Sequence, residues 1–564
     1  MTASRYPRPR YVRVGGRHVH LQVLGEGPPL LVLHPSPGSS TGMLGLAERL
    51  EGWQVLALDT PGCGRSDPLD DPAPAIADYA GATLEAVEAL GLERFSLLGS
   101  HTGAKVALEL ARRVPGRVLG LVLDGLGIST PEERDDQLVR YTPQHPPQGD
   151  GSHLVRVWHQ VRDMTLFWPW YAHDLEHRMV ATPPSAEVIH QTVVDMLRNL
   201  DHYQLTYHAA FRHDPLADLA EVSVPTLVLA AAEDPLHEHL SRLPDLDGHV
   251  TVDADGGDRA PRILRWLGGI ASPTVWSPRD QPLPEAGEWR TYWEADHGPV
   301  HVTVRAAAVP KRRPLVALHA APGSARSLQP LAAGITDRTV ILPDIPGLGG
   351  SAPVRPGPVE VDDLATGLGA ALAPMIGEPV DLYGTHTGAA IALEWTRSET
   401  LPSTSALLDG LLLGIDERFR AQLVERYARP LEPDPHGLHL LEAWHRLRDM
   451  TLFWPWYDQT ARGVRRQGPA PDPELLQPLV TDLLAAATTH HEVYRAAFRY
   501  HAKLATADVT VPTLISALPD DPLAAGIGTR TRLSDRVTVE PEALAGGRAD
   551  QLAVLDALAD GSAP

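Results

Sequence analysis

Apolar positions along the first half of the chain follow two different periods. Continuous runs at Leu30–His34, Gln54–Asp59, Phe95–Gly99 and Val118–Asp124 read as strands buried on both faces, preceded by strands near Tyr11–Val14 and His18–Leu24. Ser39–Leu50, Ile76–Leu90 and His101–Val114 instead space their apolar residues to give a helix one buried face. Alternation of such strands and helices predicts a parallel sheet covered on both sides. After Asp124 the pattern turns polar, is interrupted by proline, and is then helical to about Pro215. Strand character returns at Pro225–Ala230 and Val250–Asp253, and a helix near Arg262–Leu267 closes the unit.

The same order is then written a second time, at a period of about 285 residues. Residues 34–38 (HPSPG) pair with 319–323 (HAAPG), and 59–66 (DTPGCGRS) with 344–351 (DIPGLGGS). Leu123, Asp124 and Gly125 pair with Leu408, Asp409 and Gly410. Residues 162–171 and 448–457 are identical (RDMTLFWPWY), and each block follows a Trp-His pair, Trp158-His159 and Trp444-His445. A period this long implies two complete domains rather than a solenoid. The expected division is 1–271 and 289–564, joined by a Pro-rich linker at 272–288.

Composition agrees with two globular domains of ordinary α/β size within 564 residues. A net charge of −22 argues against nucleic acid as a partner, because phosphate binding needs clustered positive charge. The single Cys63 excludes an intrachain disulfide and reads as a small turn residue. No apolar run is long enough for a bilayer, and the first strand is not preceded by an apolar signal segment, so no membrane partner and a cytoplasmic location are expected. Three lysines among 49 basic residues point to a GC-rich bacterial genome and to no chemistry.

Chemistry enters at the junction between the fifth strand and its helix, which reads Gly99-Ser100-His101-Thr102-Gly103 and, in the second copy, Gly384-Thr385-His386-Thr387-Gly388. Together with the H-x-x-P-G and D-x-P-G-x-G-x-S loops, these junctions resemble the α/β-hydrolase family over nearly the full length of both halves. The resemblance implies two tandem α/β-hydrolase-like domains, each a mostly parallel sheet flanked by helices with a helical cap inserted after strand six, at about 126–215 and 411–502. It implies that His101 and His386 stand on the nucleophile elbow, a sharp turn that in the family usually carries serine within G-x-S-x-G. Oxyanion-hole N–H groups would come from Ser36 and Thr102, and from Ala321 and Thr387.

Two departures from the family pattern narrow the reaction. The Ser, Asp or Cys nucleophile is absent, and the loop after the last strand, where the family keeps its general-base histidine, holds none. What survives is an acid able to orient an imidazole and raise its basicity. The expected pairs are His101 with Asp124 and His386 with Asp409; Asp234, and Asp520 or Asp521, after the seventh strand are the alternatives. An imidazole so held can abstract a proton, attack a carbonyl or bind metal, but no metal-ligand spacing surrounds it and no metal or cofactor is expected. His34 and His319 read as structural.

The cap offers the clues to substrate. His159 and Arg162 lie about one helical turn apart and were they to face the elbow would present a hydrogen bonder and a cation, with Trp170 and Tyr171 nearby; the second copy repeats this as His445, Arg448, Trp456 and Tyr457. Phe167 and Trp168 read as the cap's own small core. Two functions follow: an enzyme acting on a small, partly apolar carbonyl compound by hydrolysis, carbon–carbon cleavage, elimination or isomerisation, or a catalytically inactive relative that binds a small molecule. The fused halves are expected to mimic a homodimer, with further self-association left open.

Overall fold

The computed structural model describes residues 7–246, 248–270, 275–278, 285–398, 400–465 and 470–561. Contacts divide the chain into two units. The first comprises Met1–Pro146, Ser152–Pro282 and Pro433–Gly437, and the second Pro147–Gly151, Leu283–Glu432 and Leu438–Pro564. The two five-residue segments interrupt what the sequence suggests as two uninterrupted intervals. Gly437, with φ +76°, lies against the Trp158 ring within the first unit, and Gly151, also at φ +76°, against Trp444 within the second. Much of the linker expected at 272–288 lies outside the described residues, but the strand Gly287–Ala295 already begins within it. Trp276, from the same stretch, is buried in the first unit and donates through Nε1 to Leu90 O at 2.8 Å.

The first unit is built on strands β1 (Arg8–Val14), β2 (Arg17–Leu24), β3 (Pro29–Leu33), β4 (Gln54–Leu58), β5 (Phe95–Ser100), β6 (Val118–Asp124), β7 (Thr226–Leu229) and β8 (Val250–Asp253). They form one sheet in the order β1-β2-β4-β3-β5-β6-β7-β8. β1 and β2 form an antiparallel hairpin, β2 also runs antiparallel to β4, and the remaining pairs are parallel. The parallel strands are apolar throughout because helices cover both faces: every residue of β3 and β5 is buried. One expected helix is shorter than the pattern suggests. Ser39–Leu50 contains a tight turn, Ser40–Met43, then only Leu44–Ala47, with Gly42 and Gly45 lowering helix propensity across it.

The second unit repeats the plan with β9 (Gly287–Ala295), β10 (Gly298–Ala306), β11 (Leu315–Leu318), β12 (Val340–Pro343), β13 (Val380–Thr385), β14 (Ser403–Asp409), β15 (Thr513–Ser516), β16 (Thr531–Arg532) and β17 (Val537–Val539). Their order is β16-β17-β15-β14-β13-β11-β12-β10-β9. Each unit is therefore an α/β-hydrolase-like domain with a mixed, mostly parallel sheet. In each, the chain leaves the sheet as a helical cap, between β6 and β7 in the first and between β14 and β15 in the second: Pro131–Arg140, Ser152–Asp163, Ala186–Arg198 and Tyr203–Arg212 in the first, and Leu438–Leu452, Pro473–Ala485 and His490–Arg499 among those in the second.

Helix and sheet meet most tightly behind β5 and β13. A Cβ added to Gly103 would stand 2.4 Å from Leu33 O, and one on Gly388 2.3 Å from Leu318 O, so both glycines let helix backbone touch strand backbone. Gly388→Ala is therefore expected to destabilise the second domain by about 1–3 kcal/mol through forced backbone displacement. Urea unfolding of the full chain followed by circular dichroism measures this, and a cost near zero would show that the helix can move away freely.

Candidate active site

His101 and His386 are the residues on which β5 and β13 end and the helices Thr102–Arg113 and Thr387–Trp395 begin. Among the described residues they alone carry positive φ without being glycine, at φ 51° and 52°. A side chain there costs of order 1–3 kcal/mol and persists only where the surroundings impose it. The backbone N–H of His101 donates to Asp124 O and that of His386 to Asp409 O, each at 2.9 Å, which fixes the turn. Gly125 and Gly410, both with positive φ, follow those aspartates and leave room for the rings; a Cβ on Gly125 would lie 2.6 Å from His101 Cδ2.

Each imidazole reaches an acid from the loop after β7 or β15. His101 Nε2 lies 2.7 Å from Asp234 Oδ2, and His386 Nε2 2.9 Å from Asp521 Oδ2. The acids are aimed by their own turns, because the backbone N–H groups of Leu236 and Leu523 donate to Asp234 Oδ1 and Asp521 Oδ1 at 2.8 and 2.7 Å. Burial disfavours the imidazolium of His101, but the charge and hydrogen bond of Asp234 outweigh it and hold the pKa above the ordinary histidine value. For His386, burial is likewise outweighed by the hydrogen bond and charge of Asp521. Both acids are held below the ordinary carboxylate range, burial being outweighed by the facing imidazole.

The rings differ in which edge faces the glycine beneath them. Cδ2 of His101 approaches Gly125, whereas Cε1 of His386 approaches Gly410. Nδ1 of His386 consequently lies on the side of Thr385, whose Oγ1 is 2.9 Å away. The matching Ser100 hydroxyl donates instead to Asp124, at 3.4 Å.

Both imidazoles open onto cavities between sheet and cap, retaining side-chain exposures of 31% and 37%. The first cavity, of about 70 Å³, joins His101 to Ser36 and Thr102 and is closed by Tyr141, Trp168 and Phe211. The second, of about 250 Å³, joins His386 to Ala321 and Thr387 and is closed by Tyr427, Trp454 and Phe498. The loops carrying Ser36 and Ala321 are held by cap tyrosines: Tyr207 donates to Ser36 O and Tyr494 to Ala321 O, each at 2.7 Å. His34 is structural in geometry, fully buried, with Nε2 accepting from Thr60 N at 3.1 Å; His319 accepts from Ile345 N at 3.0 Å. No group of three or more metal-ligating side chains occurs among the described residues.

A family model described as alpha/beta hydrolase fold matches residues 28–252. The chain is 32% identical, over 296 residues, to a 2-hydroxy-6-oxononadienedioate/2-hydroxy-6-oxononatrienedioate hydrolase of Klebsiella pneumoniae subsp. pneumoniae, covering 50% of this chain and 89% of that protein. The chain belongs to the α/β-hydrolase fold family. A hydrolase of the same description, numbered 2, from Pseudomonas putida is 28% identical over 245 residues, 40% of this chain and 79% of that one. Among solved structures, Epoxide Hydrolase A from Mycobacterium thermoresistibile is similar over 47% of this chain and 100% of its own, at 19% identity and a TM-score of 0.37. Among the described residues no helix is long and apolar enough to cross a membrane.

Several of the expected α/β-hydrolase site residues are placed otherwise. Asp124 and Asp409 are not the partners of the histidines. Asp124 ends β6 fully buried and accepts from Arg259 Nη1 at 2.5 Å, while Asp409 accepts from Tyr383 OH and Gln551 Nε2, each at 2.8 Å. Each has its carboxylate behind the junction, committed to the helix that closes the domain. The acids after the seventh strand take the imidazoles because their loop turns back over the glycine.

The cap residues are also corrected. His159 and His445 are exposed, and neither Arg162, Trp170 and Tyr171 nor Arg448, Trp456 and Tyr457 line the cavities. The helix Ser152–Asp163 buries Leu154, Val157, Trp158 and Val161, so one-turn spacing sets His159 and Arg162 on its outer side. Trp170 Nε1 donates to Tyr141 O at 2.9 Å, and Tyr171 OH to Asp136 at 2.5 Å. Trp168, expected as cap filling, faces the first cavity instead, and Trp454 faces the second. Sequence reasoning missed Lys105 and Arg465, each of which lines one cavity and has no counterpart in the other domain. Comparison of the repeats at those positions, where Ala390 and Met179 stand, carried the signal.

Asp521→Asn is expected to lower the His386 pKa, because it removes the attraction that outweighs burial, and Asp234→Asn to do the same for His101. Asp409→Asn should leave His386 above the ordinary histidine value. Titration of the ring protons by NMR decides, and a larger fall with Asp409→Asn would return the pairing to that residue.

Proposed function

We propose that this α/β-hydrolase-family protein is an enzyme in which His101 and His386 stand at the nucleophile elbow and act, paired with Asp234 and Asp521, on a small, partly apolar carbonyl compound. The observation carrying this reading is a strained imidazole that is hydrogen-bonded to an acid on one side and open to a closed cavity on the other. Strain of this kind is retained where a side chain has to be aimed. With Nε2–H donated to the carboxylate, Nδ1 is the nitrogen left to take a proton. His101 Nδ1 has no hydrogen-bond partner among the described residues; His386 Nδ1 accepts from the Thr385 hydroxyl at 2.9 Å.

Stabilisation of charge falls to the backbone. Ser36 and Thr102, and Ala321 and Thr387, line the cavities beside the imidazoles, and their backbone N–H groups are assigned to a developing oxyanion or enolate. An apolar wall excludes water and strengthens those hydrogen bonds. Without an elbow hydroxyl, a serine acyl-enzyme is not available. The dyad can instead deprotonate water for attack on a carbonyl, or remove a proton from carbon, which covers hydrolysis, carbon–carbon cleavage, elimination and isomerisation. The similar hydrolases from Klebsiella and Pseudomonas are named for oxo-dioate substrates, which supports a carbonyl compound here.

Ligand binding without turnover is the second reading. It draws on Thr385, whose hydroxyl occupies the nitrogen a base would need free.

The double variant His101→Ala/His386→Ala is expected to keep its fold and lose about 100-fold or more of turnover across a panel of small ketones, keto acids and esters. In the parent chain kcat/KM should rise with pH through an apparent pKa above the ordinary histidine value of about 6.5, since the imidazole is a base only when neutral and its partner acid raises its pKa. Retained turnover in the double variant removes the dyads from the chemistry. Ligand binding with no turnover of any panel member by the parent chain establishes the binder.

A further inference from the structure

We infer that the two domains have divided their roles: the second domain's cavity holds a small apolar carbonyl compound carrying one carboxylate, whose charge rests on Arg465, and the first domain's cavity does not. This rests on the reading of the space beside His386 as a substrate site, and it adds the class of ligand and the residue that selects it.

The cavities start from the same framework and are filled differently. Four residues after each junction histidine, on the same face of the helix, the first domain has Lys105 and the second Ala390. Lys105 is 5% exposed and donates through Nζ to Ala210 O at 2.7 Å and His213 O at 2.9 Å, so its side chain occupies the space under the cap. Burial, with Arg134 nearby, brings its pKa down to about 7. Gln137 adds a polar group where Leu423 stands in the second domain. The first cavity is correspondingly about 70 Å³ and the second about 250 Å³.

The second cavity receives its charge from the cap. Arg465 N donates to Leu452 O at 2.8 Å, as Met179 N donates to Leu166 O at 2.9 Å, so the two residues hold equivalent places in the same bridged loop. Only the second is cationic. Its guanidinium is anchored by carbonyls, Nη1 donating to Met450 O at 2.9 Å and Nη2 to Asp520 O. Among the described residues no carboxylate lies within ion-pair distance of it. Asp521 is close enough for its pKa to be lowered by Arg465, but its oxygens are committed to His386 and to Leu523 N. A guanidinium has five N–H donors in a planar fork that matches a carboxylate. In a chain of net charge −22, an arginine that lines a mostly apolar cavity and has no carboxylate within ion-pair distance among the described residues marks the place of an anionic group. Apolar rings then take the rest of the ligand, and its carbonyl falls to His386 and the N–H groups of Ala321 and Thr387.

Isothermal titration of the full chain with 4-oxo-4-phenylbutanoate and with its neutral amide tests this. The expected result is one keto acid bound per chain, at least about tenfold more tightly than the amide, as a charge-assisted pair predicts. Arg465→Met, which installs the first domain's residue, should bring the two probes within about twofold, and Arg465→Lys should keep part of the preference. If Arg465→Met does not fold, Arg465→Gln, which keeps a donor for the two carbonyls, carries the same test. Two keto acids per chain, equal or absent binding of the keto acid by the parent chain, or a preference unchanged by the neutral variants overturns the inference. A parent chain that shows the preference but converts no carbonyl compound leaves the inference standing and removes the catalytic reading. Turnover of neutral ketones with no preference for the acid does the reverse.

Discussion

Backbone conformation at His101 and His386 decides what the rest of each domain can do with an imidazole. A residue held at φ near +50° between a buried strand and a buried helix cannot lay its side chain against either; it is directed off the end of the sheet. That geometry needs helix and strand backbones in contact, which Gly99 and Gly103, and Gly384 and Gly388, permit by lacking Cβ atoms. It also needs a carbonyl to fix the turn, supplied by Asp124 and Asp409 at the ends of the adjacent strands. Strain at one residue is thus held by contacts distributed over three strands and a helix, and relieving it would mean separating them.

From that point the acid follows. An imidazole projecting over Gly125 or Gly410 meets the loop after β7 or β15, and Asp234 and Asp521 are held there by hydrogen bonds within their own turns. Asp124 and Asp409 are nearer in the sheet but face the other way. Their carboxylates bind Arg259, and Tyr383 with Gln551, and so join β6 and β14 to the closing helices. Proximity in strand register is a poor guide to partnership when alternate side chains leave a strand in opposite directions.

The architecture was legible in the sequence because burial has a period. Apolar runs without alternation gave the parallel strands, and Gly-flanked positions gave the junction, since both signals arise within a few residues of the chain. The pairing of each histidine was half legible: sequence reduced the acid to two positions but could not show which loop turns inward. The direction of the cap was not legible. His159 and Arg162 share a face of their helix as spacing requires, yet which face is inward depends on where Trp158 and Val161 find their cover, a tertiary matter. Trp168 and Trp170 are two residues apart in a loop, where no period relates their directions at all.

The strongest distinction between the domains lies away from the residues they share. Junction, acid and oxyanion loops are nearly the same twice over, so they cannot account for a cavity more than three times larger in one copy. Two substitutions set the domains apart: alanine for lysine one helical turn beyond the histidine removes a side chain that fills space and satisfies two cap carbonyls, and arginine for methionine in the cap loop adds a charge. Each acts through a different physical quantity, volume in one case and electrostatic potential in the other. Neither change alone makes a site for an apolar anion. A cavity without the arginine would leave the ligand's carboxylate unpaired in an apolar surrounding, and the arginine without the cavity would have no ligand to meet. Their coincidence in one domain, and the absence of both from the other, is therefore the observation on which the proposed ligand selectivity rests.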